Sequence, residues 1–156
     1  MDIEIIEKNN KRVFVYKEGE LLFYSIIKFN WINRILNIYN SNNELIIKLQ
    51  IGGFFMESTF AILFQNDNLS HNITAISESQ IYFYENRSLK KRYNNRIISF
   101  SWNYYYVFKE VKIAQVKHKI WSNSSRTFLS INEGNLIFLD QIIIHILAIK
   151  AGYDSN

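Results

Sequence analysis

The segment Leu136–Ala151, LIFLDQIIIHILAIKA, decides the fold. Wound as a helix it is apolar on nearly every face, with Ile137, Phe138, Leu139, Ile142, Ile143, Ile144, Ile146, Leu147, Ala148 and Ile149 interrupted only by Asp140, Gln141, His145 and Lys150. A helix apolar all round must be buried all round. The residues before it read mostly as strands and supply no second helix, so a sheet has to wrap around this one. The reading is therefore mainly β: a closed antiparallel β-barrel of about twelve strands around a central buried C-terminal α-helix. Residues 1–156 form one domain on this reading, with strands over 2–132 and the helix over 136–151.

The gross composition agrees. At 156 residues the chain suits one core, and a hydrophobic share of 48% with 21% charged residues excludes an intrinsically disordered chain. An aromatic share of 16% favours strands. Proline and cysteine are absent, which excludes a disulfide framework and thiolate metal sites and fits a reducing, cytoplasmic setting. The N-terminus, MDIEIIEKNNKR, carries acids where a secretory leader carries bases. The C-terminal segment is the one candidate span, but its apolar run is stopped by His145 well short of the about 20 residues a bilayer core needs, so no transmembrane span is expected. Four sequons, at Asn68, Asn72, Asn86 and Asn123, carry no weight in a chain this rich in Asn.

Short alternating or aromatic-rich runs are punctuated by Glu18-Gly19, Ser41-Asn42-Asn43, Gly52-Gly53, Asn66-Asp67-Asn68, Asn94-Asn95 and similar clusters. Asn and Gly accept the positive φ that tight hairpins require. The pattern predicts strands near 2–7, 12–17, 20–29, 34–40, 44–51, 54–65, 71–77, 80–85, 88–93, 96–101, 104–109, 112–120 and 126–132. Asn135 is expected to cap the helix, with Asp140 and Lys150 placed to suit its dipole. Four stretches beginning at Tyr16, Tyr39, Tyr84 and Phe108 share one grammar, an aromatic strand end, a polar turn and an aliphatic restart. Their order in the chain pairs Tyr16 with Tyr84 and Tyr39 with Phe108, which implies two similar halves, although hairpins built from few residue types also resemble one another.

Hairpins of this kind followed by an apolar closing helix resemble the tubby C-terminal-domain-like superfamily, which includes the phospholipid scramblases and the LURP-one-related proteins. The resemblance rests on Leu36–Gln50 (LNIYNSNNELIIKLQ), Val111–Ile120 (VKIAQVKHKI) and Leu139–Gly152 (LDQIIIHILAIKAG). It implies a tubby-like barrel of about twelve strands around a central helix, and it suggests lipid binding by analogy. No residue matches a phosphoinositide-contact motif, and no palmitoylation tract or acidic calcium loop is present, so scramblase activity does not carry over.

Charge is unevenly spread. Up to Glu78 there are seven Lys and Arg against nine Asp and Glu; from Ser79 onward there are eleven against five. The densest feature is Arg87, Lys90, Lys91, Arg92 and Arg96, with Lys117 and Lys119 on a later strand. In a strand Lys90 and Arg92 share one face and Lys91 the other, so both faces cannot be core. One reading is an edge-like or protruding hairpin whose lysines block unwanted pairing. The other is binding of an anionic surface, phospholipid ahead of nucleic acid, through charge-assisted hydrogen bonds. Lys117 and Lys119 point outward together if His118 points in.

Catalytic signatures are missing from the sequence. There is no G-x-S-x-G, and Gly52-Gly53 lacks the lysine of a phosphate loop. His71, His118 and His145 are too scattered to argue a metal site, and His145 reads as a core histidine bonded to a barrel carbonyl. Glu57 lies within an apolar run, but one acid is not an acid/base pair. The expectation is a non-enzymatic binding module without cofactor or metal, cytoplasmic, and peripheral to the membrane where its ligand is lipid. Its partner would be anionic lipid or, alternatively, another protein; nucleic acid is disfavoured because no zinc-finger or RNP signature occurs.

Overall fold

The computed structural model describes residues 1–8, 12–30, 33–53, 57–84, 87–94, 103–119 and 125–153. Twelve strands are formed: β1 (Asp2–Lys8), β2 (Arg12–Lys17), β3 (Glu20–Asn30), β4 (Asn33–Asn40), β5 (Leu45–Gly52), β6 (Thr59–Gln65), β7 (Ile73–Ile76), β8 (Gln80–Phe83), β9 (Arg87–Tyr93), β10 (Tyr104–Phe108), β11 (Val111–Lys119) and β12 (Arg126–Ile131). A 3-10 turn, Glu133–Phe138, then leads into α1 (Leu139–Tyr153).

All twelve strands belong to one antiparallel sheet in the order β6-β5-β4-β3-β2-β1-β12-β11-β10-β9-β8-β7. Two six-strand meanders are thus joined where β1 pairs with β12, Ile3 opposite Leu129 and Ile5 opposite Thr127. The two related pairs of hairpins foreseen in the sequence fall on equivalent places in the two meanders: β2-β3 with β8-β9, and β4-β5 with β10-β11. Two of their turns place both central residues at positive φ, Glu18 and Gly19 in one, Lys109 and Glu110 in the other. That backbone twist matches the twist of the flanking strands.

The ring is nearly closed. β6 and β7 lie side by side without a hydrogen-bonded ladder among the described residues, and side chains bridge the gap. Gln65 treats Ile73 as a strand neighbour would: its Oε1 accepts from the Ile73 N–H at 2.6 Å and its Nε2 donates to the Ile73 carbonyl at 3.3 Å. At the other end of the seam the Glu78 carboxylate accepts from the Ser58 N–H at 2.8 Å.

Alternation sends Ile3, Ile5, Val13, Val15, Leu36, Ile38, Ile47, Leu49, Ile81, Leu89, Val116 and Leu129 into the barrel, all buried. There they meet α1, whose residues from Gln141 to Ile149 are buried without exception. Together with the 3-10 turn, the stretch Glu133–Gly152 is long and apolar enough to cross a bilayer, yet it is mostly buried and α1 packs as the core of the barrel. Asp140 sits in its first turn and Lys150 in its last, where Nζ meets Glu7 of β1 at 3.6 Å. Arg34 of β4 donates to the carbonyls of Ala151 and Gly152 at 2.7 and 2.9 Å, satisfying acceptors that a helix end leaves open.

Several expectations need correction. The α-helix starts at Leu139 rather than 136, because Glu133–Phe138 winds as a tighter 3-10 turn, and Asn135 lies inside that turn instead of capping the helix. β6 begins at Thr59, not 54, and Glu57 is exposed in the preceding connection rather than held in an apolar run. β9 is not an edge: it hydrogen-bonds β8 on one side and β10 on the other. The strand expected over 96–101 lies outside the described residues.

Candidate functional site

The basic strand β9 divides its charges between two worlds. Alternation aims Leu89 and Lys91 into the barrel and Lys90 and Arg92 out of it. Lys91 is buried, its Nζ about 5 Å above the rings of Tyr93 and Tyr104, with no carboxylate in ion-pair range among the described residues. Cation–π attraction replaces a counter-ion there. Outside, Glu110 at the tip of the β10-β11 turn receives Arg92 at 2.8 Å and Lys90 at 3.8 Å. All three side chains are roughly half exposed or more, so these pairs contribute little to stability.

Between the β8-β9 and β10-β11 hairpins runs a groove of about 250 Å³ lined by Arg87, Ser88, Lys90, Val107, Phe108, Lys109 and Glu110. Among the described residues, Arg87, Lys90 and Lys109 line it with one carboxylate, that of Glu110, and a short apolar floor. The register brings this about: Val107 stands opposite Lys90 on one side and Lys112 on the other, while Tyr105 stands opposite Arg92. Lys112 lies over the Tyr105 ring at 5.3 Å and extends the basic strip along the outer wall.

Of the cations singled out in the sequence, Arg87 and Lys90 line the groove and Arg92 adjoins it through Glu110. Lys91 points away into the core, and Arg96 lies outside the described residues. Lys117 and Lys119 are exposed on β11, as the alternation with His118 requires, but five and seven residues beyond Lys112 they are about 16–23 Å along the strand and do not join the groove. Lys109 was missed. Its signal was present in the aromatic–polar–aliphatic repeat, which marks Lys109-Glu110 as a tight turn folding back onto β9.

The interior holds a second polar set. His145 Nε2 donates to the Ser77 carbonyl at 2.8 Å, which leaves Nδ1 to accept from the Tyr106 hydroxyl at 2.9 Å. Burial, with a smaller push from Lys91, lowers its pKa to about 4 against the opposing effect of the Ser77 carbonyl. His118, bonded to Thr127 Oγ1 at 2.9 Å, is lowered to about 4 by burial and by the charges of Lys150 and Lys91. The Tyr106 phenol is raised by burial and by Tyr104, and the Asp140 carboxyl is raised by burial. Gln141 Nε2 donates to Ser70 Oγ at 3.1 Å and to the His71 carbonyl at 2.9 Å. The His145 and Gln141 bonds hold α1 in place, while His118 and Thr127 tie β11 to β12. Among the described residues no group of three or more His, Asp or Glu side chains converges on a point where a metal ion would sit.

Compared with family models, curated proteins and solved structures, the chain finds no match. The site is therefore read from its own chemistry.

Proposed function

We propose that this chain is a non-enzymatic binding module, cytoplasmic and peripheral to the membrane, whose hairpin groove takes the phosphate of an anionic phospholipid. One observation carries the reading: Arg87, Lys90 and Lys109 surround one groove on the outer wall. A guanidinium and two ammonium groups at such spacing suit a phosphate, with Arg87 offering a planar fork and the lysines point charges. Near an anionic bilayer each such residue adds about 1 kcal/mol, falling off within a Debye length of about 8–10 Å. The twelve-strand barrel around a central helix agrees with what the tubby-like resemblance implies, and that resemblance is part of the same proposal.

Glu110 tempers the groove. Its carboxylate holds Lys90 and Arg92 in place before a ligand arrives and must be outcompeted by a phosphate. Vesicle sedimentation tests the reading. Phosphatidylcholine vesicles with about 30% phosphatidylserine should retain the protein at low salt and release it as salt rises, whereas pure phosphatidylcholine should not retain it. Arg87→Ala with Lys109→Ala should weaken retention about tenfold or more. Equal partitioning onto neutral and anionic vesicles at low salt would discard the proposal.

A further inference from the structure

The inner wall of the barrel changes character at the end where α1 finishes. Alternation sets Ile3, Ile5 and then Glu7 along β1, Leu89, Lys91 and Tyr93 along β9, and Ala114, Val116 and His118 along β11, so each row is apolar first and polar last. Tyr104 of β10 stands opposite Tyr93, and Thr127 of β12 stands opposite His118. Lys150 closes this crescent from the last turn of α1. Charge within it does not balance. Glu7 is matched to Lys150 at 3.6 Å, and Glu78, on the nearby β7-β8 turn, is turned to the seam, where it accepts from the Ser58 N–H. Lys91 is left over. It is 8% exposed, and its ammonium has no acceptor among the described residues. The rings of Tyr93 and Tyr104, 5.0 and 5.2 Å away, answer its charge but satisfy none of its three N–H groups. An unmatched buried ion is costly, so the folded state gains from whatever brings a negative oxygen to it.

His118 offers a second donor beside Tyr104, its ring 5.9 Å from the tyrosine ring. The Thr127 hydroxyl has no other acceptor among the described residues, so it donates to His118 Nδ1 at 2.9 Å. The ring proton then sits on Nε2, which no described residue takes. The positive fields of Lys150 and Lys91 both reach His118 and help to keep it neutral, so the three groups look onto one space. Tyr93 is 48% exposed and puts that space within reach of solvent.

We propose that this crescent is a second binding site, for a small organic carboxylate whose oxygens take the Lys91 ammonium and the His118 Nε2–H while its hydrocarbon body lies against Tyr93. Two donors match the two oxygens of one carboxylate. One surplus positive charge suits a monoanion. A phosphate dianion would leave net negative charge beside the carbonyl end of α1, where the helix dipole disfavours it. The site lies inside the wall, toward the opposite end of β9 from the groove, and it stands or falls apart from the lipid reading.

Thermal melts and lysine footprinting test it. Benzoate at about ten times its dissociation constant should raise the melting midpoint by about 3–6 °C, whereas benzyl alcohol at the same concentration should not. Lys91→Met, which keeps the length of the side chain and removes its charge, should lose the shift. Lys117→Met, at an exposed position on β11, should keep it. The footprint needs no variant: graded acetylation of the native chain, read by mass spectrometry, should show the same benzoate slowing modification of Lys91 about tenfold and leaving Lys117 unchanged. An equal shift with benzyl alcohol or inorganic phosphate, no shift with benzoate, an undiminished shift in Lys91→Met, or protection at Lys117 in place of Lys91 would each overturn the site.

Discussion

His145 sits where the barrel can least tolerate a charge. It is fully buried, it gives its one proton to the Ser77 carbonyl, and its other nitrogen already accepts from Tyr106. Protonation would set two donors against each other at Nδ1. The folded state therefore keeps the ring neutral down to a pKa of about 4, while the unfolded chain protonates it near 6.5. Between those values the unfolded state binds more protons, so stability falls as pH drops from about 6.5 to about 4 and changes little from this group below that. His118, also lowered to about 4, adds to the same window. Asp140 works the other way: its raised pKa makes its contribution disappear as pH rises through the folded value. Urea melts from pH 7.5 to 4.5 should show a loss of several kcal/mol for the native chain and a visibly shallower one for His145→Gln. Tyr106→Phe, which leaves Nδ1 without a donor in a dry site, should cost about 1–3 kcal/mol at pH 7 by the same melts. The carbonyl partner of His145 was legible in the sequence because a lone histidine in an apolar helix has to find an acceptor. The tyrosine partner was not, since nothing local says which strand faces that turn of the helix.

At the level of elements the helix and the seam behave differently. α1 is buried on all faces, so Ile144→Asp or Leu147→Asp should abolish cooperative folding, because an unpaired buried charge costs several kcal/mol against a total stability of about 5–15 kcal/mol. Soluble protein from either variant that melts cooperatively would contradict the buried helix. Among the described residues the seam is held by the side chains of Gln65 and Glu78 instead of a ladder, and Gln65→Ala removes one of these clips. The expected cost is about 1–2 kcal/mol, with faster amide exchange in β6 and β7 than in β1 and β12. Gly53 follows β5 at a φ of +116°, where a Cβ would run into the Glu57 carbonyl oxygen, so Gly53→Ala should destabilise the same side of the barrel. The strands were readable because alternation and Asn or Gly turns are local. The seam was not, since a missing ladder is a property of strands far apart in sequence, and neither was the 3-10 start of the helix, which Phe138 imposes by packing on Phe83 and Phe108. β9 was misread as an edge for a related reason. Its cations looked surplus to a core, but five of its seven residues point outward or are only half buried, and Lys91 finds two tyrosine rings inside.

Over the whole molecule, charge and topology divide along the same line. The second meander carries the cation excess that the second half of the sequence shows, and at one end its hairpins combine that excess with exposed apolar tips. Of the six basic candidates among the described residues, Arg87, Lys90 and Arg92 gathered there because all three lie on β9 beside the β10-β11 turn. The others failed to join for reasons of reach: one turns inward and two run on toward the far end of β11. Lysine and arginine counts locate a charged half but not a site, which needs the register. The register also sets the folding problem, because β1 must find β12 across almost the full length of the chain, a pairing of high loop-closure cost. Refolding from urea should accordingly be slow, in the millisecond to second range or beyond.

The position of α1 after all twelve strands has a consequence for how a cell makes this protein. A ribosome delivers the wall of the barrel before its filling, so the nascent chain holds a dozen greasy strand faces with nothing yet to cover them. Chaperones would be needed during that interval, and a chain released before Leu139 should accumulate as aggregate rather than as a smaller soluble protein.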